Sequence, residues 1–170
     1  IECRLQSNPA DIFYSVIQKD EIIDLVVCNP PFHASLEDAQ AETLRKLSNL
    51  AKEEVSTVVQ NFGGQNAELW CDGGEEKFVR SMVRLSRQFT TSVCWFSSII
   101  AKKSHLQGIY DELRKAKAED VQTIPMGQGN KTSRIVAWTF LTREEQKAWK
   151  NERWNVGVPL KVPTIVPNRI

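Results

Sequence analysis

A nearly continuous run of β-branched and other apolar residues, at positions 22–28, stops at the sequence Asn29-Pro30-Pro31. Such a run is typical of a strand that is buried on both faces, as in a parallel sheet. Two prolines cannot continue the hydrogen-bond ladder of a sheet, so the strand must end there. This run therefore restricts the chain to an α/β fold in which helices cover the sheet.

The rest of the chain alternates between strand-like and helix-like patterns. Apolar residues at helical spacing predict helices over 36–52, 75–88, 104–118 and 143–154. Apolar runs predict further strands over 91–101, 121–125 and 135–140. A short Gly/Asn loop at 127–130 separates the last two strands, so they must be antiparallel. The expected sheet is mostly parallel and ends in an antiparallel hairpin.

Composition excludes several classes of protein. The chain has 170 residues, of which 41% are hydrophobic and 25% charged, and this is the balance of a globular domain. No apolar run approaches the roughly 20 residues of a membrane-spanning helix, so we expect no membrane association. The formal charge is +1, so any contact with nucleic acid must come from a local patch. Four cysteines without CxxC spacing predict buried free thiols, no metal site and a reducing, cytoplasmic location.

The tetrapeptide Asn29-Pro30-Pro31-Phe32 lies where an α/β sheet binds its ligands, beyond the carboxyl end of a strand. The prolines fix the backbone so that the Asn29 side-chain oxygen and the Pro30 carbonyl converge, and two such acceptors would bind an amino group. Phe32 would stack on the planar ring that carries this group. A proline-terminated strand without a catalytic role is the alternative. His33 follows the tetrapeptide, and we expect no catalytic role for it.

The tetrapeptide resembles the NPP(F/Y) motif of S-adenosylmethionine-dependent methyltransferases that act on amino groups. Further blocks extend the resemblance over most of the chain. They are Phe62-Gly63-Gly64-Gln65, Glu68-Leu69-Trp70-Cys71, Gly73-Gly74-Glu75, Trp95-Phe96-Ser97-Ser98, Lys102-Lys103, Met126-Gly127-Gln128-Gly129 and Ala137-Trp138-Thr139-Phe140. Together they resemble the bacterial family that methylates adenine N6 in large-subunit (23S) ribosomal RNA, and its eukaryotic relatives that act on small nuclear and messenger RNA.

This resemblance implies a Rossmann-like fold with strand order 3-2-1-4-5-7-6, in which the strand at 22–28 is the fourth and Leu5 lies at the end of the third. It also implies S-adenosylmethionine as the cofactor. Asn29, Pro30, Pro31 and Phe32 would be catalytic, and Asn29 would also face the cofactor.

Several cationic and aromatic residues are candidate RNA contacts. Lys102 and Lys103 match a lysine-bearing loop of the eukaryotic relatives, although solvated lysines are an equally good interpretation. The other candidates are Trp70, Lys131, Arg134, Arg80 and Arg84. Arg80 and Arg84 belong to a basic stripe on the helix over 75–88, which fits a phosphate-binding surface. Charged helix faces are more often merely solvated.

The glycine-rich cofactor motif of the family does not occur in this sequence. We therefore expect residues 1–142 to be the carboxyl-terminal part of a methyltransferase domain, followed by a helix and a Pro-containing tail at 143–170. Such a chain lacks the first strands and would be inactive alone. Its partners would be ribosomal RNA and either the missing amino-terminal portion or a second copy.

A non-catalytic RNA-binding module and a protein-glutamine methyltransferase are the alternative functions. Asp72 and Glu75 could suggest a metal, but helix capping explains them equally well.

Overall fold

The computed structural model describes residues 2–35, 37–38, 41, 70–128 and 131–154. The helix predicted over 36–52 lies almost entirely outside these residues, as do most of the glycine-rich segment before Trp70 and the tail after Trp154. None of the helices in the described ranges has both the length and the apolar character needed to cross a membrane.

Four described strands form one sheet in the order β1-β2-β4-β3. They are β1 (Ile23–Cys28), β2 (Val93–Ile100), β3 (Asp120–Gln128) and β4 (Lys131–Thr139). β1 and β2 are parallel, whereas β4 is antiparallel to both β2 and β3. Three strands therefore point the same way and β4 alone is reversed. This arrangement confirms the predicted hairpin and matches the 4-5-7-6 part of the expected order.

Three α-helices are described: α1 (Gly74–Ser86), α2 (Leu106–Ala116) and α3 (Arg143–Arg153). Short 3-10 turns at Arg87–Phe89 and Lys103–His105 extend α1 and precede α2. All three predicted helices in the described ranges are confirmed within a few residues. The chain leaves β2, passes through α2 and returns to the sheet in β3, so strands and helices alternate as expected.

The core lies between the sheet and helices α1 and α2. Phe96 on β2 stacks on Trp138 on β4, with ring centroids 5.9 Å apart, and both side chains are fully buried. Trp138 donates its indole N–H to the Ser86 hydroxyl at 3.0 Å, which satisfies a polar group that would otherwise be costly to bury. Trp95 and Trp138 both lie in apolar strand segments of the sequence, which predicts that they belong to the core. Trp138 does, whereas Trp95 is half-buried.

The buried face of α1 differs from the prediction. The apolar spacing of this helix in the sequence predicts a core face of Phe78, Met82, Leu85 and Phe89, but of these only Met82 is fully buried. The other buried apolar side chains on this helix belong to Val79 and Val83. The larger Phe78, Leu85 and Phe89 side chains pack at the margin of the core and stay partly exposed. The apolar pattern alone does not show which line of side chains lies against the sheet.

The amino-terminal segment does not form the strand expected near Leu5. Residues 2–6 are irregular, and Leu5 is 92% exposed. The segment is fixed instead by Arg4, which donates to the Glu21 carboxylate at 2.6 Å, and by Phe13, whose buried ring contacts Phe96. β1 thus has β2 as its only partner among the described strands.

Candidate active site at the carboxyl edge of the sheet

The tetrapeptide 29–32 follows β1 directly, at the edge of the sheet where β1 and β2 both end. Pro30 is buried and anchors the backbone, whereas Asn29 and Phe32 are exposed. The two side chains that the sequence predicted to contact a ligand are therefore open to solvent. The backbone that carries them is held by β1, which precedes Asn29, and by the buried Pro30 between them.

Trp70 and Cys71 hold the chain immediately after this tetrapeptide. Trp70 forms an isolated parallel bridge with His33, and the Cys71 N–H donates to the His33 carbonyl at 3.1 Å. Trp70, predicted as a substrate platform, is half-buried at this position. Burial raises the pKa of the Cys71 thiol, which donates to the Gly74 carbonyl at 3.3 Å. Trp70 thus pairs with the residue that directly follows the tetrapeptide.

The first turn of α1 packs closely against the same segment. Gly74 has φ +60°, and a Cβ atom placed there would lie 3.4 Å from the Ala34 nitrogen and 3.5 Å from the His33 carbonyl carbon. Glycine adopts positive φ without the steric cost that other residues incur. The Gly73-Gly74 pair therefore allows α1 to begin directly beside the backbone that follows Phe32.

Glu75, the next residue, is a buried carboxylate with a 1% exposed side chain. Its Oε1 accepts from the Ala101 N–H at 2.6 Å, and its Oε2 accepts from the Lys102 N–H at 3.3 Å. Oε2 also lies 2.6 Å from Nδ1 of His105. Glu75 therefore joins the start of α1 to the segment between β2 and α2. Within the described part of the chain, no cluster of three or more His, Cys, Asp or Glu side chains is arranged to hold a metal ion.

A cavity of about 340 Å³ lies between these segments. Its walls are Phe32, His33, Ala34, Asp38, Gly73, Gly74, Glu75, Lys102 and His105. Phe32 and Lys102 were both predicted as site residues, one catalytic and one RNA-binding, and the structure brings them to the same cavity. The cavity therefore combines an exposed aromatic ring with an exposed cation, a pair that suits a nucleotide.

The β3–β4 hairpin brings further candidates to this edge. β4 runs opposite to β2, so its first residues lie level with the last residues of β2, and Arg134 is in register with Ile100. Lys131 pairs with Gln128 at the outer end of the hairpin. Lys103 is exposed beside Lys102. The topology thus gathers Lys131, Arg134 and the lysine pair at the edge that carries Asn29.

Arg80 and Arg84 have a different environment. Both form ion pairs with Glu112 of α2, at 3.3 and 3.5 Å, and the Glu112 side chain is 9% exposed. Arg80 also lies 3.7 Å from the Glu76 carboxylate. These contacts fix α1 to α2 and neutralise part of the basic stripe. The RNA-binding role of the two arginines stays a prediction.

A family model described as RNA methyltransferase matches residues 1–142 of this chain. The chain belongs to this RNA methyltransferase family. Curated relatives agree with the assignment. The chain is 54% identical over 154 residues to a Cytophaga hutchinsonii protein named ribosomal RNA large subunit methyltransferase F, an alignment that covers 91% of this chain and 48% of that protein. A Yersinia enterocolitica protein of the same name is 53% identical over 155 residues, with 91% and 46% covered.

A solved structure of the hMettl16 catalytic domain, in complex with the MAT2A 3′UTR hairpin 1, is similar to this RNA methyltransferase chain with a TM-score of 0.59. The two are 26% identical, and the match covers 77% of this chain and 44% of that one. The predicted Rossmann-like methyltransferase fold is thereby confirmed. The chain spans about half the length of the curated relatives that it matches.

The sequence interpretation of this RNA methyltransferase chain considered Glu75 only as a metal ligand or a helix-terminal residue and missed its buried contacts with Ala101, Lys102 and His105. A glutamate in the first turn of a helix is ordinarily explained by the helix dipole, and such a residue is usually exposed. The only local signal was its position directly after Gly73 and Gly74. Its partners, Ala101 and His105, are distant in sequence, so nothing local reveals that the carboxylate is buried.

Proposed function

We propose that this chain is the catalytic portion of an S-adenosylmethionine-dependent enzyme that methylates N6 of an adenine in large-subunit ribosomal RNA. The observation that carries this proposal is the position of Asn29 and Phe32, both exposed at the carboxyl edge of the sheet, where Phe32 lines a cavity. The names of the relatives support the choice of ribosomal RNA. The proposal includes a cytoplasmic location.

In this proposal the tetrapeptide binds the target amino group. The Asn29 side-chain oxygen and the Pro30 carbonyl accept hydrogen bonds from its two N–H groups, and Phe32 stacks on the adenine ring. These acceptors favour the pyramidal geometry in which the nitrogen lone pair is available for in-line attack. Pro30 and Pro31 keep the acceptors in place before the substrate arrives. S-adenosylmethionine supplies the methyl group as an electrophilic sulfonium.

The residues of this chain fit the cofactor in part. Asn29 offers an exposed polar side chain at the carboxyl end of β1, beside which the cofactor of such a fold binds. We propose that the remaining cofactor contacts come from an amino-terminal portion whose strands continue the sheet beyond β1. Leu25 and Val27 of β1 are 53% and 68% exposed, so this strand offers apolar surface to a neighbour. Self-association through β1 is the competing arrangement.

RNA would approach the same edge of the sheet. Lys102, Lys103, Lys131 and Arg134 would contact phosphates, and Trp70 would contribute a stacking surface. Arg80 and Arg84 would bind phosphate only by exchanging their present ion pairs with Glu112. We therefore assign the main RNA contacts to the carboxyl edge of the sheet.

Calorimetry of S-adenosylmethionine binding tests the divided site. We expect no binding by this chain alone, and binding once the amino-terminal portion of a curated relative is added. Binding by the chain alone would show that the cofactor site has been misplaced. Light scattering on the chain alone separates a dimer from a monomer, and a monomer at all concentrations would contradict self-association.

An Asn29→Ala variant, in the chain completed by that portion, tests the catalytic assignment. We expect methyl transfer to adenine in a ribosomal RNA fragment to be lost while RNA affinity is kept. Asn29→Asp keeps an acceptor oxygen at this position but replaces the amide NH2 by a second oxygen, and it serves as the matched control, with partial activity. If wild type binds RNA but transfers no methyl group, the non-catalytic RNA-binding alternative replaces this proposal.

A further inference from the structure

We propose that Glu75 is a positioning residue, which holds Lys102 beside Phe32 so that the Lys102 ammonium binds an RNA phosphate during methyl transfer. This inference rests on the proposed function, and it assigns to Glu75 a role that the chemistry of the tetrapeptide does not require. It also assigns His105 as the residue that keeps the Glu75 carboxylate in place.

The hydrogen bonds of Glu75 all go to one short segment. Oε1 accepts from Ala101 N–H at 2.6 Å, and Oε2 is within 3.3 Å of Lys102 N–H and 2.6 Å of His105 Nδ1. A carboxylate that is 1% exposed is costly to bury unless such donors satisfy it. The buried Glu75 carboxylate therefore fixes the backbone of residues 101–105.

This segment determines where Lys102 lies. Lys102 is the last extended residue before the 3-10 turn Lys103–His105, with φ −98° and ψ 124°. Because Glu75 holds the N–H of Lys102 and the ring of His105, both ends of the turn are fixed. The Lys102 side chain then lines the cavity together with Phe32.

The first turn of α1 thus contacts both walls of the cavity. Gly74 packs against the backbone of His33 and Ala34, directly after Phe32. Glu75, one residue later, holds the wall that carries Lys102. A displacement of this turn would change the separation of Phe32 and Lys102. In this proposal that separation must match the distance between the base stacked on Phe32 and the phosphate bound by Lys102.

The charge of Lys102 is available for a ligand. Several other cations in the described ranges are paired: Arg4 with Glu21, Arg80 and Arg84 with Glu112, and Arg153 with Asp24. Lys102 is exposed and forms no ion pair with any carboxylate of the described residues. An exposed, unpaired ammonium held at a fixed position beside an aromatic ring is suited to a phosphate rather than to a structural role.

Two substitutions, Glu75→Gln and Lys102→Gln, test the inference in the completed chain described above. Glutamine keeps the size of Glu75 and one acceptor oxygen, but its NH2 group cannot accept the hydrogen bonds that the second carboxylate oxygen accepts, so the segment is held less firmly. We expect each variant to weaken RNA binding about three- to tenfold and to lower the slope of log affinity against log salt by about 1. The RNA KM should rise more than kcat falls.

The double variant and a control distinguish positioning from a general structural effect. If Glu75 acts through Lys102, the Glu75→Gln/Lys102→Gln pair binds RNA no more weakly than either single variant. Arg134→Gln is the control because Arg134 lies on β4, outside the segment 101–105 that Glu75 fixes, and its effect should multiply with that of Glu75→Gln. Multiplicative effects of Glu75→Gln and Lys102→Gln, or an unchanged salt slope in Glu75→Gln, would overturn the inference.

His105 provides a second route if Glu75→Gln fails to fold, which circular dichroism would reveal. His105→Leu removes one donor to Glu75 and should reproduce the loss of salt slope, whereas His105→Asn keeps a donor and should restore most of it. Equal salt slopes for these two variants would contradict the inference. If the wild-type chain methylates adenine and the variants bind RNA as the wild type does, this inference alone is refuted. If the wild-type chain does not methylate adenine, the proposed function is refuted.

Discussion

The carboxylate of Asp24, near the start of β1, accepts a hydrogen bond of 2.7 Å from Nε of Arg153 in α3, 129 positions later in the sequence. Trp149 of the same helix donates its indole N–H to Asp24 at 2.8 Å. The Arg153 guanidinium, and secondly the Trp149 indole, lower the pKa of Asp24 to about 2. One acidic side chain thus fastens the last described helix to the first strand.

This pair predicts a pH-dependent contribution to stability. The folded-state pKa of Asp24 lies below its ordinary value of 3.8, so the contribution is present above that value and is lost as pH falls toward about 2. Because the pair is partly exposed, we expect Asp24→Asn to lower the melting temperature at pH 7 by about 2–4 °C, or about 1 kcal/mol. Thermal unfolding followed by circular dichroism should show this difference shrinking between pH 4 and pH 2. Arg153→Gln should also lower the melting temperature at pH 7, and a difference that persists undiminished at pH 2 would contradict the prediction.

The Trp138–Ser86 hydrogen bond predicts a coupling in the core. Ser86→Ala leaves the buried indole N–H of Trp138 without its acceptor, which should lower the free energy of unfolding by about 1–3 kcal/mol. Trp138→Phe removes the same bond and also leaves a cavity, so its effect should be larger. Urea unfolding of both single variants and the double variant measures the coupling. Strictly additive losses would show that the bond contributes nothing.

Gly74→Ala should destabilise the site. An alanine at φ +60° costs about 1–2 kcal/mol, and its Cβ would meet the Ala34 nitrogen at 3.4 Å. We expect a lower free energy of unfolding and, in the completed chain, reduced methyl transfer. Gly127→Ala is the control for stability, because a Cβ there meets nothing within 4 Å, and its effect should stay within about 0.5 kcal/mol. Equal effects of the two substitutions on unfolding would be unexpected.

Thiol reactivity should separate the cysteines. Cys3 is exposed and Cys94 is buried, where burial, and secondly the Asp24 charge, raise the pKa of its thiol. Burial likewise raises the pKa of the half-buried Cys28. Since the thiolate is the reactive form, timed alkylation at pH 8 followed by peptide mass spectrometry should label Cys3 first and Cys94 only after unfolding. Labelling of Cys94 as fast as Cys3 in the native chain would contradict this order. The sequence-based expectation of buried thiols holds for Cys94, whereas Cys28 and Cys71 are half-buried and Cys3 is exposed.

The elements that the sequence predicted well are those with a strong local signal. The strand before Asn29 is recognisable from its apolar run and its prolines, and the hairpin is recognisable from the short Gly/Asn loop. Pro125 ended the prediction for β3 early, yet the strand continues to Gln128. β3 lies at the end of the sheet order, where a missing N–H need not break the ladder.

The features that were missed depend on contacts distant in sequence. Nothing near Glu75 indicates that Ala101 and His105 will surround it, and nothing near Arg80 indicates that Glu112 will face it from another helix. The family resemblance identified Asn29 and Phe32 as candidate catalytic residues. The partner of each buried charge required three-dimensional information.

The reversed direction of β4 has a consequence for how this architecture can diversify. Because β4 runs against β2, β3 ends and β4 begins at the edge that carries Asn29, although the hairpin contributes Trp138 to the core. Residues inserted or removed between Gln128 and Lys131 would change this edge of the sheet without changing a core contact. If this edge binds RNA as proposed above, a lineage would be able to change its RNA target through the hairpin at little cost in stability.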